Sequence, residues 1–203
     1  MLAQFPFSGV TMKTIKIIGF AGSLRKDSFN KALISAAKEL VPKGAELKIF
    51  DLDGIPLYDQ DLENEMPKRV TEFKDAIRAA DAVLIATPEY NYSIPGVLKN
   101  AIDWASRPYS DNVLKDKPAA IMSASGSMLG GSRAQYHLRQ VFVFLDMHPI
   151  NKPEVIVPFA QEKIGADGKL ADPHTRDKIR ELLETLVAWI IRIGVGKSAA
   201  ESA

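Results

Sequence analysis

Cysteine is missing from all 203 residues. That excludes disulfides, thiolate metal sites and a cysteine nucleophile, and it fits a reducing compartment. Histidine is scarce too. His137, His148 and His174 are scattered without metal-ligand spacing, so no metal site is expected, and His137 and His148 read as structural or interfacial. An excess of charge of one sign is also lacking. With 26 Lys and Arg against 25 Asp and Glu, the net charge is +1, which gives no broad field for nucleic acid or an anionic membrane. No apolar run reaches the roughly 18 residues of a membrane span. Residues 1–13 lack the charged and apolar regions of a signal peptide and read as an extension, with Met12 an alternative start. Residues 196–203 read as a small, polar, disordered tail. A cytoplasmic enzyme or binding protein is the expectation.

Three fingerprints are absent as well. There is no G-x-x-x-x-G-K-[ST] of a nucleotide triphosphatase, no G-x-G-x-x-G of a dinucleotide fold and no G-x-S-x-G of a serine hydrolase.

What is there alternates between strand and helix signals. The runs at 14–20, 46–52, 82–86, 118–123 and 154–157 read as strands. Helical stripes follow. Ala32, Leu33, Ala36, Ala37 and Leu40 form the first, and Val70, Phe73, Ile77 and Ala80 form the second, opened by Pro67. Later stripes run through 97–105, 134–145 and 173–193. Five βα units in succession predict a parallel sheet with helices on both faces over residues 14–195. In such sheets ligands sit at the C-terminal strand ends, so the loops after strands one, three and four matter most.

The first loop, GFAGSLRKDSFNK at 19–31, supplies Gly22, two hydroxyls in Ser23 and Ser28, and the cationic fork of Arg25 beside a helix N-terminus. That is a receptor for a phosphate, and the length of the loop suits a terminal monophosphate. The bland alternative makes Ser28 or Asp27 a helix cap and Arg25 a solvated charge. Asp51, after strand two, could mimic the ribose-binding acid of a dinucleotide fold.

The second loop, TPEYNYSIPG at 87–96, is stiffened by Pro88 and Pro95. The backbone amides of Glu89, Tyr90 and Asn91 should face the cleft, and Tyr90 and Tyr92 offer flat faces with polar tips. A heteroaromatic ring with alternating carbonyl and N–H edges needs this set. The alternative has the tyrosines packing a loop and Ser93 capping the next helix. The third loop, at 123–133, lines the cleft with Ser123, Ser125, Gly126 and Ser127.

Three segments, GSLRKDSFN (22–30), PEYNYSIPGVLKNAIDW (88–104) and SGSMLGGSRAQYHLRQ (125–140), resemble the NADPH-dependent FMN reductases, in particular their bacterial chromate and quinone reductase branch. The resemblance covers roughly residues 14–193 and implies a flavodoxin-like three-layer fold with strand order 2-1-3-4-5. It implies bound FMN, NAD(P)H as donor and a homotetramer built as a dimer of dimers. By the same resemblance Ser23, Arg25, Ser28, Phe29 and Asn30 would hold the FMN phosphate and ribityl chain. Pro88, Glu89, Tyr90, Asn91 and Tyr92 would face the ring, mainly through backbone groups, with Ser123, Ser125 and Gly126 at its other edge. Arg133, Tyr136 and Glu154 would be subunit contacts or a plain surface network.

The expected activity is a ping-pong transfer of two electrons from NAD(P)H to quinones or other small acceptors (azo compounds, chromate, ferric complexes), with the flavin doing the redox chemistry. No catalytic side chain is assigned. Arg107 could attract an anionic acceptor or the nicotinamide phosphate, or be a helix-end charge. The rival readings are a one-electron flavodoxin-type carrier and a NAD-binding enzyme of the Rossmann type.

Overall fold

The computed structural model describes residues 14–200, with side chains through residue 194. The expected N-terminal extension and the alternative start at Met12 lie outside the described residues. Strands β1 (Ile15–Ala21), β2 (Ala45–Ile49), β3 (Ala82–Thr87), β4 (Pro118–Ala124), β5 (His148–Pro149) and β6 (Val155–Val157) alternate with helices. The helices are α1 (Phe29–Leu40), α2 (Lys68–Arg78), α3 (Gly96–Ala105), α4 (Ser132–Phe144) and α5 (Pro173–Ala200). All pairings are parallel, in the order β2-β1-β3-β4-β5, with β6 also on β4.

Period-two alternation sorts the core into two layers. All six residues of β3 are buried. Ala82, Leu84 and Ala86 face α1 and α5, meeting Leu33, Ile34, Leu182 and Leu186. Val83 and Ile85 face the other way, toward Phe73 and Ile77 of α2, Leu98 of α3 and Phe142 of α4. Each such side chain, fully buried, stabilises the fold by about 1.5–3 kcal/mol before entropy is counted. In α5, Ile179, Leu182, Leu183 and Leu186 hold the i, i+3, i+4, i+7 stripe, none more than 1% exposed. That helix begins on a cap. The Asp172 carboxylate accepts from the Thr175 amide at 2.8 Å and from the Thr175 hydroxyl, and Pro173 takes the first helical position. Those bonds from Thr175 hold the Asp172 carboxyl below its ordinary range.

Two expectations need correction. The fifth strand is not one run at 154–157. Its place beside β4 is divided: β5 pairs with Pro118 and Ala119, and β6 with Met122, Ser123 and Ala124. The last helix does not stop near Ile193 but runs to Ala200, so residues 196–200 of the supposed tail are helical.

Candidate cofactor site

Register brings three strand ends to one edge. Ala21 pairs with Ala86, and Thr87 pairs with Ser123, so the loops after β1, β3 and β4 leave the sheet side by side. The site is built where those loops meet.

The loop after β1 is ordered by its own hydroxyls. Ser28 is the N-cap of α1, its Oγ accepting from the Asn30 amide at 3.2 Å. Ser23 Oγ accepts from the Arg25 amide at 3.3 Å. Both serines are buried, at 5% and 4% exposure. The cap read from the sequence and the anion site are therefore not exclusive, because a hydroxyl that accepts one bond still has a proton to donate. Arg25 lies 5.1 Å over the Phe29 ring and forms no ion pair among the described residues. The amides of Phe29 and Lys31 find no acceptor among the described residues. Hydroxyl, free helix amides and an unpaired guanidinium are a donor set that fits a phosphate dianion. A cleft of about 580 Å³, lined by Arg25, Ser28, Phe29 and Gln161 among others, lies against this loop.

The side chain of Asn30 is engaged within the fold. Its Nδ2 donates to the Ala124 carbonyl at 2.9 Å and its Oδ1 accepts from the Ala124 amide at 3.0 Å. At 2% exposure it ties the start of α1 to the end of β4 and positions the loop from beneath.

After β3 the chain makes a hairpin turn. Tyr90 and Ser93 exchange both backbone bonds at 3.0 Å, and the two residues between them, Asn91 and Tyr92, sit at φ 51° and 67°. Two positive φ values mark a type I′ turn, which asparagine tolerates and tyrosine resists. The Tyr90 amide is thus not free for a ligand, while those of Glu89 and Asn91 have no acceptor among the described residues. Both tyrosine rings are more than half exposed, and Pro88 is buried. Ser93 does not cap α3, whose N-cap is Pro95; its hydroxyl meets His137 Nδ1 at 3.0 Å. The Glu89 side chain, only 7% exposed, turns away from the cleft. Its carboxylate takes the Arg133 guanidinium, the Arg133 amide at 3.1 Å and the Ala134 amide at 3.4 Å, and so covers the N-terminus of α4.

After β4 the loop folds against β6. The Ser125 amide donates to the Val157 carbonyl at 3.1 Å, and the Ser125 and Ser127 hydroxyls are 3.1 Å apart. Gly126 is exposed. Gly130 and Gly131 both lie at positive φ, and a Cβ on Gly131 would come within 2.9 Å of Ser123 Cβ. Ser123 itself is wholly buried and accepts from Gln135 Nε2 at 2.9 Å. It supports the floor rather than lining the cleft.

Other candidates fall elsewhere. α3 carries the chain about 15 Å back from the strand-end edge before Arg107, given ten helical residues. There Arg107 stacks 3.8 Å over the Tyr109 ring, and its carbonyl accepts from the buried Lys74, which also pairs with Asp111 at 3.0 Å. Arg107 is thus remote from the three loops of its own chain. Asp51 is engaged by Lys31 at 3.1 Å; burial pushes its carboxyl up, but the Asp53 amide and Lys31 outweigh that and hold it low. Arg133 bonds within the chain to Glu89, and Tyr136 donates to Glu154 at 3.2 Å. Lys152 and then Tyr136 hold the Glu154 carboxyl below its usual range. Arg133 with Glu89 and Tyr136 with Glu154 are thus two separate intrachain contacts. Among the described residues no cluster of His, Asp or Glu could hold a metal, and no helix is long and apolar enough to cross a membrane.

The sequence pattern that defines NADPH-dependent FMN reductases matches residues 15–162. The chain belongs to that family. It is 51% identical over 180 residues to an NAD(P)H-dependent FMN reductase of Pseudomonas aeruginosa, covering 88% of this chain and 97% of that one. A 2-hydroxy-1,4-benzoquinone reductase from a Burkholderia species is 42% identical over 176 residues, covering 87% and 96%. Among solved structures, FerB, a flavoenzyme NAD(P)H:(acceptor) oxidoreductase from Paracoccus denitrificans, superposes with a TM-score of 0.80 at 36% identity, covering 88% and 98%. Strand order and family agree with the flavodoxin-like architecture expected from the sequence.

Within this family member, three side chains matter that sequence reasoning assigned otherwise or missed: Asn30 as a tie, Gln135 as the support of Ser123, and Arg133 as the partner of Glu89. The Asn30 and Arg133 partners lie 94 and 44 residues away, so no local pattern could announce them.

Proposed function

We propose that this protein is an FMN-dependent NAD(P)H oxidoreductase that passes two electrons to quinones. The observation that carries the proposal is the meeting, at one sheet edge, of an anion-receptive helix start and a turn of exposed tyrosines with free amides. One end matches a terminal phosphate and the other a flat ring with a polar rim. Bound FMN supplies the hydride-accepting and hydride-donating chemistry.

The chain's own residues bind and orient. Ser23, Arg25, Ser28 and the Phe29 and Lys31 amides would hold the phosphate. Pro88 and the backbone of Glu89 and Asn91 meet the polar edge of the ring, with Tyr90 and Tyr92 along its border and Ser125 and Gly126 opposite. Amide donors there favour negative charge on a reduced ring, as they would favour an oxyanion. No side chain is required as acid or base: the nearby carboxylate, Glu89, is already paired with Arg133 and the start of α4. With the tyrosine-lined cleft open to solvent, donor and acceptor would enter it in turn, and the kinetics would be ping-pong.

The proposal extends to azo compounds, chromate and ferric complexes as further acceptors, to residence in the cytoplasm, and to a homotetramer. Favouring self-association, Val143 and Phe144 at the end of α4 are 82% and 74% exposed. Light scattering at micromolar concentration tests that point, and a monomer overturns it. For the activity itself, the purified protein should be yellow and should oxidise NADPH on addition of a quinone. Colourless protein that fails to take up added FMN sinks the assignment.

A further inference from the structure

We infer that Arg133 is a positioning residue of the flavin site, which locks the Asn91–Tyr92 turn in the shape that receives the ring. The inference rests on the FMN reading above. The turn is intrinsically unfavourable, since Tyr92 is a bulky residue at φ 67°. Nonglycine residues in this region persist only where their surroundings fix them. Here the Tyr90–Ser93 backbone pair closes the turn, and the contact on the Tyr92 side chain is a guanidinium. Arg133 lies 3.5 Å from the centre of the Tyr92 ring and at the same time bonds the Glu89 carboxylate. The Glu89 bond raises the guanidinium above its usual pKa. Glu89 in turn is anchored by the Arg133 and Ala134 amides of α4. The result is a closed latch of Glu89, Arg133 and Tyr92 that clips both flanks of the turn onto the first turn of α4.

The three members have separate physical jobs. Glu89 is the fixed post, held by the helix start and almost wholly buried. Arg133 is the planar bridge, which only a delocalised fork can be, because it must face an aromatic ring and a carboxylate together. Tyr92 is the held piece. Without the bridge the turn relaxes toward shapes with negative φ, and the Asn91 amide no longer points where the ring's edge would sit.

The test uses the FMN-free full chain, titrated with FMN by flavin fluorescence, with visible circular dichroism of the bound flavin reporting ring pose. Arg133→Ala should weaken FMN binding about tenfold, the equivalent of about 1.4 kcal/mol, and change the visible dichroism. Arg133→Lys keeps the charge but not the fork, so it should recover less than half of that loss in free energy. Unchanged affinity and dichroism in Arg133→Ala overturn the latch. So does an affinity loss accompanied by wild-type dichroism, which would mark a general loss of stability instead of a moved ring. If wild-type protein binds no FMN, the parent reading fails rather than the latch.

Discussion

The two ends of the proposed FMN site are held by different means. At the phosphate end, Ser23 and Ser28 bond amides two residues away, and the α1 start supplies the rest. At the ring end, the Tyr92 side chain of the Asn91–Tyr92 turn meets Arg133, more than forty residues on in another element. The phosphate end is local and relaxed; the ring end is strained and propped by tertiary contacts. An anion needs donors converging on a point, which one helix start provides. A flat ring needs a long edge defined by several segments at once.

That contrast can be broken or sharpened by substitution. The largest effect is expected from Arg25→Ala combined with Ser28→Ala, which should weaken FMN binding about a hundredfold, or about 2.7 kcal/mol. Titration of the FMN-free chain measures it, and unchanged affinity would remove the phosphate end from the proposal. Asn30→Ala comes next. It strips partners from the buried Ala124 amide and carbonyl, at a cost of about 2 kcal/mol in urea unfolding. A loss of FMN affinity without any loss of stability would instead make Asn30 a direct ligand. Gly131→Ala forces a side chain into φ 89° against Ser123, and should cost about 1.5 kcal/mol of stability by the same measurement.

The smallest effect serves as a control at the start of α5. Asp172→Ala removes the α5 cap and should cost about 1 kcal/mol at neutral pH without altering FMN affinity. Its pH dependence has a definite sign. Thr175 holds the folded carboxyl below the usual aspartate value of 3.8. The cap's contribution is therefore complete above that value and is lost as pH falls through the lower folded value. The stability gap between wild type and Asp172→Ala should narrow below about pH 4. A gap that widened in acid would contradict the capping geometry.

Much of the fold was legible because its signals are periodic and local. The stripe of α5, the buried run of β3 and the Pro67 start of α2 each follow from neighbours in sequence. The divided fifth strand was not legible, because neither two-residue β5 nor three-residue β6 is long enough to show a period. The extension of α5 to Ala200 was missed for a related reason: GKSAA reads as a polar tail, and tail composition says little about whether a preceding helix continues.

At the candidate site, the loops that meet at the sheet edge were legible, but the partners of several side chains were not. Ser123 and Asn30, expected as cofactor contacts, are buried and bonded to Gln135 and Ala124. Tyr90 offers its ring but not its amide. Arg107 is carried away by the length of α3, a distance that no residue type announces. Glu89 was expected at the ring through its backbone. Its side chain was unassigned, and that side chain is what joins the turn to α4.

The sequence by itself determined the alternation of strand and helix, the loops that carry hydroxyls, cation and tyrosines, and the family. Those properties depend on residue type and short spacing, which a linear string records. Only the tertiary structure decided which of those groups face the cleft and which face the protein. That choice depends on partners such as Ala124 for Asn30 and Arg133 for Glu89, which the sheet brings together across 94 and 44 residues. A polar side chain buried beside such a partner bonds to it, since leaving either group unpaired away from water costs more than any contact with a passing ligand returns.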